Sequence, residues 1–393
     1  MKKTITVGLA FWLLLLLMSC RPSASKEEAK ESLSGVKVKY ARNFSIEYHP
    51  GYRLVKVFAQ WSKNKDQPVF TYVLVDKGNK VPEGFAKEQI INTPVKSIIS
   101  FSSIYNYHLF ELGLCNRLSG ITLPDYISND SIRDLVKQGK VLDVGTGNGI
   151  NIERIISLQP ELIITYGMGN PQVDTYGKLI SSGFKVAVAT DHLENTPLAR
   201  AEWLKFTAVF FNKERLADSL FNVIEKEYTT LKGVSDRTKS KPTVFTGIKY
   251  GDSWHMPGGK SFFASLLKDA GADYIWKDDS SAGSIPLSFE QVILKASKGD
   301  IWINTGEWKS KKDALNEDSR YDKFLAFRNS NIFNNNKRTI PSGGNDYWES
   351  GLQHPERILK DLISIFHPEV FPGYSLFYYK KLPESPEIQA SQP

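Results

Sequence analysis

The chain has 393 residues, and its 50 lysine and arginine residues against 43 aspartate and glutamate residues give a formal net charge of +7 at pH 7. This excess is mild, and no cluster of basic residues is interleaved with aromatic ones, so the composition gives little support to nucleic-acid binding. No internal repeat with a period of about 20 to 50 residues is present, and a repeat architecture is therefore not indicated.

The N-terminus has the pattern of an export signal. Lys2 and Lys3 precede an apolar run that ends just before Cys20, and this run is too short for a comfortable membrane span. The tripeptide before Cys20 resembles a bacterial lipobox, which predicts a signal peptide over residues 1–19 and a diacylglycerol on Cys20. The mature protein would then be tethered to a membrane. An ordinary cleaved signal and a short membrane anchor are the alternatives.

The next segments predict a tether and then added strands. Residues 20–35 are rich in Ser, Ala, Lys and Glu, as expected of a flexible linker. Residues 36–92 contain KVKYARNFSIEY, RLVKVFAQW and VFTYVLV, which predict antiparallel strands at the edge or back of the first lobe. With Cys20 lipidated, Cys115 stands alone, so no internal disulfide is expected.

From residue 94 onward, apolar strand-like runs alternate with amphipathic helical segments, and the same rhythm restarts after residue 241. This alternation is typical of parallel α/β sheets. We therefore predict an α/β protein with two Rossmann-like lobes of mainly parallel strands, an N-terminal lobe over 36–195 and a C-terminal lobe over 234–380. Residues 381–393 are expected to be a disordered tail.

The segment between the two lobes predicts one long bridging helix over 196–233. Thr196 can cap its N-terminus, Pro197 fits the first helical position, and Gly233 can end it in the left-handed conformation. A continuous helix offers no loop residues to absorb large dihedral changes, so we expect little movement between the lobes.

Residues 141–149, VLDVGTGNG, resemble the glycine-rich first motif of class I methyltransferases. The competing interpretation is a tight strand-to-helix turn, in which the glycines permit the backbone geometry and Asn151 caps the following helix. We favour the turn, because the motif follows two strand and helix units in a chain with an export signal.

The chain resembles the periplasmic binding proteins of ABC importers, specifically the cobalamin-, ferric siderophore- and haem-binding class in which a rigid helix links two lobes. The resemblance extends from about Pro94 to Pro372. It is carried by the segments SIISFSSIYNYHLFELGL, NIERIISLQPELIITYG, the AEW of the bridge, WHMPGGKSFFASLLKDAGADYIW and NDYWESGLQHPERILKDLISIFHPEVFP.

This resemblance implies a non-enzymatic protein that captures an iron chelate, haem or corrinoid in the cleft and delivers it to an inner-membrane permease with its ATPase. It implies no cofactor, no nucleic-acid partner, a monomer, and a lipid-anchored location in the periplasm of a Gram-negative bacterium. The sequence contains no Gly-x-Ser-x-Gly or His-Glu-x-x-His motif that would nominate a hydrolase.

Ligands of open α/β sheets bind at the carboxyl ends of the strands, so the candidate residues are those that follow each strand. Aromatic side chains among them suit a large, flat ligand, with Trp254 and Trp348 as the main anchors. The predicted ligand-binding residues are Ser102, Ser103, Tyr105, His108, Tyr166, Gly167, Tyr250, Trp254, His255, Trp308, Asp346, Tyr347 and Trp348, with Asp191, His192, Trp276 and Asn345 as further candidates.

Three histidines at strand ends leave a zinc- or manganese-binding importer protein as an alternative, since Asp191 could join His108, His192 and His255 around an ion. No histidine-rich loop is present, so a chelate is favoured. In the family, an acidic residue at the tip of each lobe docks to permease arginines, and the approximate matches here are Asp174 and Glu307.

Overall fold

The structure is a computed structural model that describes residues 35–385 except 63 and 65. The predicted signal peptide, Cys20, nearly all of the tether and the last eight residues lie outside this range. In the described part of the chain, no helix is long and apolar enough to cross a membrane.

The segment before the first lobe forms a small sheet of its own. Its first three strands are antiparallel, as predicted, and the fourth pairs parallel with the third. The tyrosine hydroxyl of Tyr72 accepts a hydrogen bond from the backbone of Val188 at 2.7 Å, which places this sheet against the first lobe. The strands are β1 Phe44–His49, β2 Tyr52–Val57, β3 Phe70–Asp76 and β4 Ile90–Thr93.

The first lobe is a five-stranded parallel sheet in the order β7-β6-β5-β8-β9. Its central strands are continuous apolar runs with fully buried Ile99, Ile163 and Ile164, as expected of a sheet covered on both faces. The strands are β5 Ile98–Ser100, β6 Leu118–Ile121, β7 Leu142–Asp143, β8 Leu162–Tyr166 and β9 Val186–Ala189, and the helices are α1 Ser103–Glu111, α2 Asp130–Lys137, α3 Ile152–Leu158 and α4 Tyr176–Ser181.

The bridge between the lobes is helical but not continuous, so the prediction of one helix over 196–233 is wrong in its extent. Thr196 caps the first helix as predicted, accepting from the backbone of Ala199 at 3.4 Å. Gly233 does not end the last helix, which continues to Ser235. The three helices are α5 Pro197–Ala201, α6 Leu204–Val209 and α7 Glu214–Ser235.

Each break in the bridge coincides with a contact to a distant part of the chain. At the first, the carboxylate of Glu202 accepts three backbone hydrogen bonds from the distant residues 39–41, which fixes the chain there. At the second, Asn212 adopts φ 56° and its side chain accepts from Arg53 at 2.8 Å. Asparagine tolerates this left-handed conformation better than most residues, so it can turn the chain between helices.

The second lobe holds a larger sheet in the order β13-β10-β15-β16-β17, parallel except for β17, and a small antiparallel sheet β11-β12-β14. The strands are β10 Thr243–Thr246, β11 Lys249–Tyr250, β12 Ser253–Pro257, β13 Asp273–Tyr274, β14 Ser284–Leu287, β15 Ile301–Ile303, β16 Ile332–Asn334 and β17 Lys380–Lys381. The helices are α8 Phe262–Asp269, α9 Phe289–Ala296, α10 Lys311–Glu317, α11 Leu325–Arg328, α12 Ser350–Gln353 and α13 Pro355–Phe366.

The predicted disordered tail begins too early. Lys381 belongs to β17, Leu382 is buried, and the carboxylate of Glu384 accepts from the ammonium of Lys311 at 2.9 Å. Residues 381–385 are therefore part of the second lobe.

Helix α7 connects the two lobes physically. Near its start, Glu214 forms a buried ion pair with Arg53 of β2, and near its end Lys232 pairs with Asp269 of α8 at 2.6 Å. A second junction forms where α12 packs against α1. The fold prediction, two α/β lobes of mainly parallel strands bridged by a long helix, is confirmed, with the 22-residue α7 as that helix.

Candidate functional site

The carboxyl ends of the strands in the two lobes meet. Between β6 and α2, the backbone and hydroxyl of Ser128 donate to Glu349 of the second lobe, the backbone bond at 2.8 Å. Nearby, the hydroxyl of Ser342 donates to the backbone carbonyl of Asp125. These contacts place the strand-end loops of the two lobes opposite one another, where ligands of open α/β sheets bind.

Exposed apolar side chains concentrate on these loops. Tyr166, at the end of β8, is 44% exposed, and Trp348, in the segment after β16, is 54% exposed. Single exposed apolar residues are ordinary, whereas a group of them makes a surface a candidate for binding. The exposed apolar residues on strand-end loops are Leu123, Tyr126, Tyr166, Met168 and Val173 in the first lobe and Tyr250 and Trp348 in the second. We call this set the cleft rim.

A cavity of about 230 Å³ lies between the lobes beside α8. His192 from the first lobe and His255 from the second both line it, together with Phe262 and Phe263. Burial lowers the pKa of His192 below its usual value, although the charge of Asp191 acts in the opposite direction. A neutral imidazole at pH 7 has a nitrogen lone pair that can accept a hydrogen bond or bind a metal.

A buried polar network supports this cavity. The hydroxyl of Tyr105 donates to Asp191 at 2.6 Å, and Arg200 lies 3.6 Å from the other carboxylate oxygen of Asp191. The guanidinium of Arg200 also lies over the ring of Phe262, at 5.3 Å from its centroid. The network thus joins α1, the end of β9, the bridge and the second lobe behind the two histidines.

Several predicted residues do lie where a ligand in the cleft could reach them. Ser102 and Ser103 lie at the start of α1 directly after β5, Tyr166, Tyr250 and Trp348 belong to the cleft rim, and His255 is exposed on β12. Their role in binding stays a prediction.

The prediction of Trp254 as one of the two main anchors is wrong. Its side chain is fully buried and stacks on Trp302 at 5.5 Å between ring centroids, with its indole N–H donating to the carbonyl of Thr246 at 2.9 Å. Trp308 is also a core residue, packed against Trp302 and donating to Glu317 at 2.7 Å. A satisfied and buried indole belongs to the core of the second lobe rather than to the cleft.

His108 is likewise buried instead of facing a ligand. Its Nδ1 lies 2.8 Å from the hydroxyl of Thr207 in α6, and burial lowers its pKa to about 4. It belongs to the junction between α1 and the bridge. Since desolvation favours the uncharged imidazole, this histidine packs as a neutral residue.

Four other predicted ligand-binding residues are buried. Tyr105 and Tyr347 are each 1% exposed, Trp276 is buried, and Asp346 is held by Arg338 at 2.6 Å. A direct contact with a ligand is therefore wrong for Tyr105, Tyr347 and Trp276, and it stays a prediction for Asp346. Asn345 uses its side chain to accept from the backbone of Tyr347 at 3.0 Å.

The glycine and the two proposed docking acids have different settings. Gly167 is buried, and a Cβ there would lie 3.4 Å from the indole of Trp61. Asp174 accepts from the backbone of Met168 and of Asn170 at 2.6 and 2.9 Å, so it shapes its own loop. Glu307 is exposed after β15. Docking to a permease stays a prediction for both acids.

Four residues of the candidate site were not among the residues predicted from the sequence, namely Leu123, Tyr126, Met168 and Arg200. The signal for the first three was present, because LPDY follows the strand LSGI and YGMG ends the strand LIITY. Arg200 could not be identified in this way, since it lies in a helix and only its packing places it against Asp191 and against Phe262, which lines the cavity.

The glycine-rich motif forms the predicted tight turn. Gly145 has φ 73°, a Cβ on it would lie 2.2 Å from the carbonyl oxygen of Gly149, and the side chain of Asn151 caps α3 by accepting from Arg154 at 2.8 Å. The glycines of the motif follow β7, which is the edge strand of its sheet. A turn after an edge strand does not lie at a cofactor cleft in the middle of the sheet, so the methyltransferase alternative has no support at this position.

Among residues 35–385, excluding 63 and 65, no group of three or more histidine, cysteine, aspartate or glutamate side chains is placed to hold a metal ion. Within that range Asp191 is instead engaged by Tyr105 and Arg200. The zinc and manganese alternative therefore lacks the converging ligands that it needs.

Comparisons with solved structures agree with the fold. A possible iron-binding (periplasmic solute-binding) protein of Staphylococcus epidermidis is 21% identical, covers 70% of this chain and 100% of its own, and superposes with a TM-score of 0.54. A periplasmic heme-binding protein of Vibrio cholerae is 19% identical over 67% of this chain and 98% of its own, with a TM-score of 0.52. At these identities the likeness shows a shared fold.

Sequence relatives extend beyond the two lobes. An uncharacterized lipoprotein of Methanocaldococcus jannaschii is 28% identical over 392 residues, which cover 93% of this chain and 92% of the relative. A vitamin B12-binding protein of Salmonella paratyphi A is 29% identical over 161 residues, 40% of this chain and 56% of that protein.

The family described as "Periplasmic binding protein" matches residues 98–339, from β5 of the first lobe to the loop after β16 of the second. Because this match takes in both lobes and more than half of the sequence, the chain belongs to the periplasmic binding protein family.

Proposed function

We propose that this protein is the solute-binding component of an ABC importer and that it captures a metal chelate between its lobes for delivery to a membrane permease. The chelate is a ferric siderophore, haem or a cobalamin-type corrinoid. The observation that carries the proposal is the cleft rim, where large apolar side chains remain exposed on the strand-end loops of both lobes.

The chemistry of the cleft rim fits a large and flat ligand. Tyr126 and Tyr166 offer aromatic surface from the first lobe, and Tyr250 and Trp348 offer it from the second. Aromatic rings give broad contact area with few rotatable bonds, so ordering them on binding costs little entropy. A chelate that contacts the cleft rim on both lobes would remove apolar surface of both lobes from water at once.

The two histidines explain why a metal-containing ligand is favoured over an organic one. His192 and His255 reach the same cavity from opposite lobes, and neutral imidazole is a good ligand for iron and cobalt. We propose that at least one of them contacts the metal or the periphery of the chelate. Arg200 beneath the cavity holds Phe262 and Asp191 in place for this contact.

The proposed location is outside the cytoplasm, with a lipid on Cys20. Two relatives are named lipoproteins, and both come from an archaeon, so we restrict the proposal to a membrane-tethered protein without specifying a Gram-negative host.

Calorimetric titration with cyanocobalamin, cobinamide, haem and several ferric siderophores tests the proposal. We expect saturable binding of one class. Replacing Tyr126 or Trp348 by alanine should weaken it roughly tenfold each, since removing a buried aromatic contact costs on the order of 1 to 2 kcal/mol. Leu294→Ala is the matched control, because Leu294 is 87% exposed on α9, outside the cleft rim.

If none of the chelates binds, the proposal is overturned. If Leu294→Ala loses as much chelate affinity as Tyr126→Ala or Trp348→Ala, the cleft rim is not the binding surface. If haem is the ligand, its absorption spectrum reports on metal ligation directly. His192→Ala or His255→Ala should then shift the Soret band, whereas an unchanged spectrum in both variants would remove the imidazoles from the metal.

A further inference from the structure

A second and larger cavity, of about 600 Å³, also lies between the lobes. It shares no lining residue with the cavity of His192 and His255, and Tyr126 and Trp348 do not line it. Its first-lobe wall consists of the outer side of α1, with Tyr107 and Phe110, and residues 128–131 at the start of α2. Its second-lobe wall consists of residues 337–340, Asp346, Ser350, Arg357 at the start of α13, and Phe377.

Two arginines of the second lobe lie against one phenylalanine ring in this cavity. The guanidinium of Arg338 lies 4.4 Å from the centroid of Phe377, and that of Arg357 lies 5.4 Å from it. Arg338 is further fixed by donating from Nε to Asp346 at 2.6 Å. Stacking on an aromatic ring restricts a guanidinium while leaving the N–H groups at its edge free to bind a ligand.

The ring itself is held firmly. The buried carboxylate of Asp361 accepts from the backbone N–H groups of residues 377, 378 and 379, at 2.7, 2.6 and 3.0 Å. Both arginines are therefore positioned by a part of the second lobe that cannot rearrange easily.

The N–H donors of the two guanidiniums exceed the acceptors around them. Among the described residues, Arg357 makes no side-chain hydrogen bond, and the terminal nitrogens of Arg338 make none either. The side chain of Arg357 is 42% exposed and that of Arg338 is 47% exposed, so both face the cavity and are not part of the core.

The acids near these arginines are already paired, one of them with Arg338 itself. Asp346 pairs with Arg338, and Asp130 is turned to Arg133 of its own helix at 3.3 Å. Glu356, 3.6 Å from Arg357, also accepts from His354 at 2.9 Å. Lys337, whose ammonium donates to the neutral carbonyl of Leu376, adds a positive charge without a paired acid among the described residues.

We propose that this cavity binds a small anion through its carboxylate or phosphate group, with Arg357 and Arg338 as the recognising residues. Guanidinium groups match the geometry of both anions with two parallel hydrogen bonds. Because the walls belong to both lobes, the bound anion links them at a position separate from the cleft rim.

Calorimetric titration of the intact protein at low ionic strength, with inorganic phosphate in one arm and citrate in the other, tests this proposal and distinguishes the two anion classes. We expect saturable binding in at least one arm. Arg357→Gln should weaken it by about tenfold or more, since a hydrogen bond to a charged group contributes on the order of 1.5 to 3 kcal/mol. Arg357→Lys, which keeps the charge but loses the paired donors, should weaken it less.

Arg320→Gln is the matched control. Arg320 also stacks on a phenylalanine, at 4.0 Å from the ring of Phe289, and pairs with an aspartate at 2.7 Å, but it does not line the cavity. Unchanged binding in Arg320→Gln together with a loss in Arg357→Gln supports the site. Absence of binding in both arms, or equal losses in the two variants, overturns it, and chelate binding in the cleft should be the same in all of these proteins.

Discussion

The imidazole of His354, at the start of α13, lies 3.3 Å from the carboxylate of Glu111, at the end of α1. The other ring nitrogen of His354 lies 2.9 Å from Glu356. One histidine of the second lobe is thus held between an acid of the first lobe and an acid of its own helix, and the contact ties the lobes together at the junction of α1 and α12.

This contact predicts a pH dependence of stability. Burial lowers the pKa of His354, but the hydrogen bonds and charges of Glu111 and Glu356 outweigh it and raise the pKa from 6.5 to about 9. The folded protein therefore keeps a proton that the unfolded chain loses. The stabilisation from this proton is complete below pH about 6.5, declines as the pH rises, and is lost above about 9, by on the order of 3 kcal/mol in total.

Urea unfolding of the wild type and of His354→Gln at several pH values between 6 and 10 measures this effect. The free energy of unfolding of the wild type should fall across the window, and that of the variant should fall less. Parallel curves for the two proteins would contradict the assignment.

The buried position of Trp254 predicts that it supports stability and not affinity. Trp254→Ala should lower the free energy of unfolding by about 3 to 5 kcal/mol, because it leaves a cavity in an aromatic core. Trp348→Ala should change it by less than about 0.5 kcal/mol. Measured on folded protein at low temperature, chelate affinity should show the opposite ranking. If Trp254→Ala lowers chelate affinity without lowering stability, Trp254 is a ligand-binding residue of the cleft and not a core residue.

The ion pair of Arg53 and Glu214 joins the N-terminal sheet to α7, and Arg53 also donates to Asp76 at 2.5 Å and to Thr93 at 2.7 Å. Arg53→Ala leaves Glu214 buried without its cation and should cost about 3 to 5 kcal/mol of stability. The double variant Arg53→Met with Glu214→Met should be more stable than Arg53→Ala, because no buried charge is left. A double variant that is no more stable than Arg53→Ala would show that the unpaired charge is not the cause.

Two glycines of the turn after β7 provide a matched pair. Gly145 and Gly147 both have positive φ, 73° and 53°, but only at Gly145 would a Cβ meet a backbone atom, 2.2 Å away. Each alanine variant should cost about 1 to 2 kcal/mol for the left-handed backbone. Gly145→Ala should cost clearly more than Gly147→Ala in thermal unfolding, and similar melting temperatures would argue against the close approach.

The fold was predictable because several strands of its sheets are apolar enough to be recognised one by one. The strands LIITY and VAVA, for example, stand out as buried runs between polar helices. The extent of the bridge was not predictable, because the residues that interrupt it respond to partners far away in the chain. The backbone of residues 39–41 reaches Glu202 from 161 to 163 positions earlier.

The site was predictable by position but not residue by residue. Tryptophan has the same large apolar surface in a core and in a cleft, so Trp254 and Trp348 look alike in sequence. The strand period did contain a signal, since Trp254 and Met256 point inward and His255 points outward in β12. Arg200 and Arg357 depend on packing between helices, which no local pattern encodes.

The attachment of residues 39–43 to the bridge has a mechanical consequence. Glu202 holds the backbone of residues 39–41, Glu194 holds that of Arg42 and Asn43, and Lys39 pairs with Glu225 of α7 at 2.9 Å. Tension applied from the N-terminal end of the chain is therefore carried into the helices that both lobes share. A force on the tether would therefore act on the bridge between the lobes, and it would not separate the two lobes from each other.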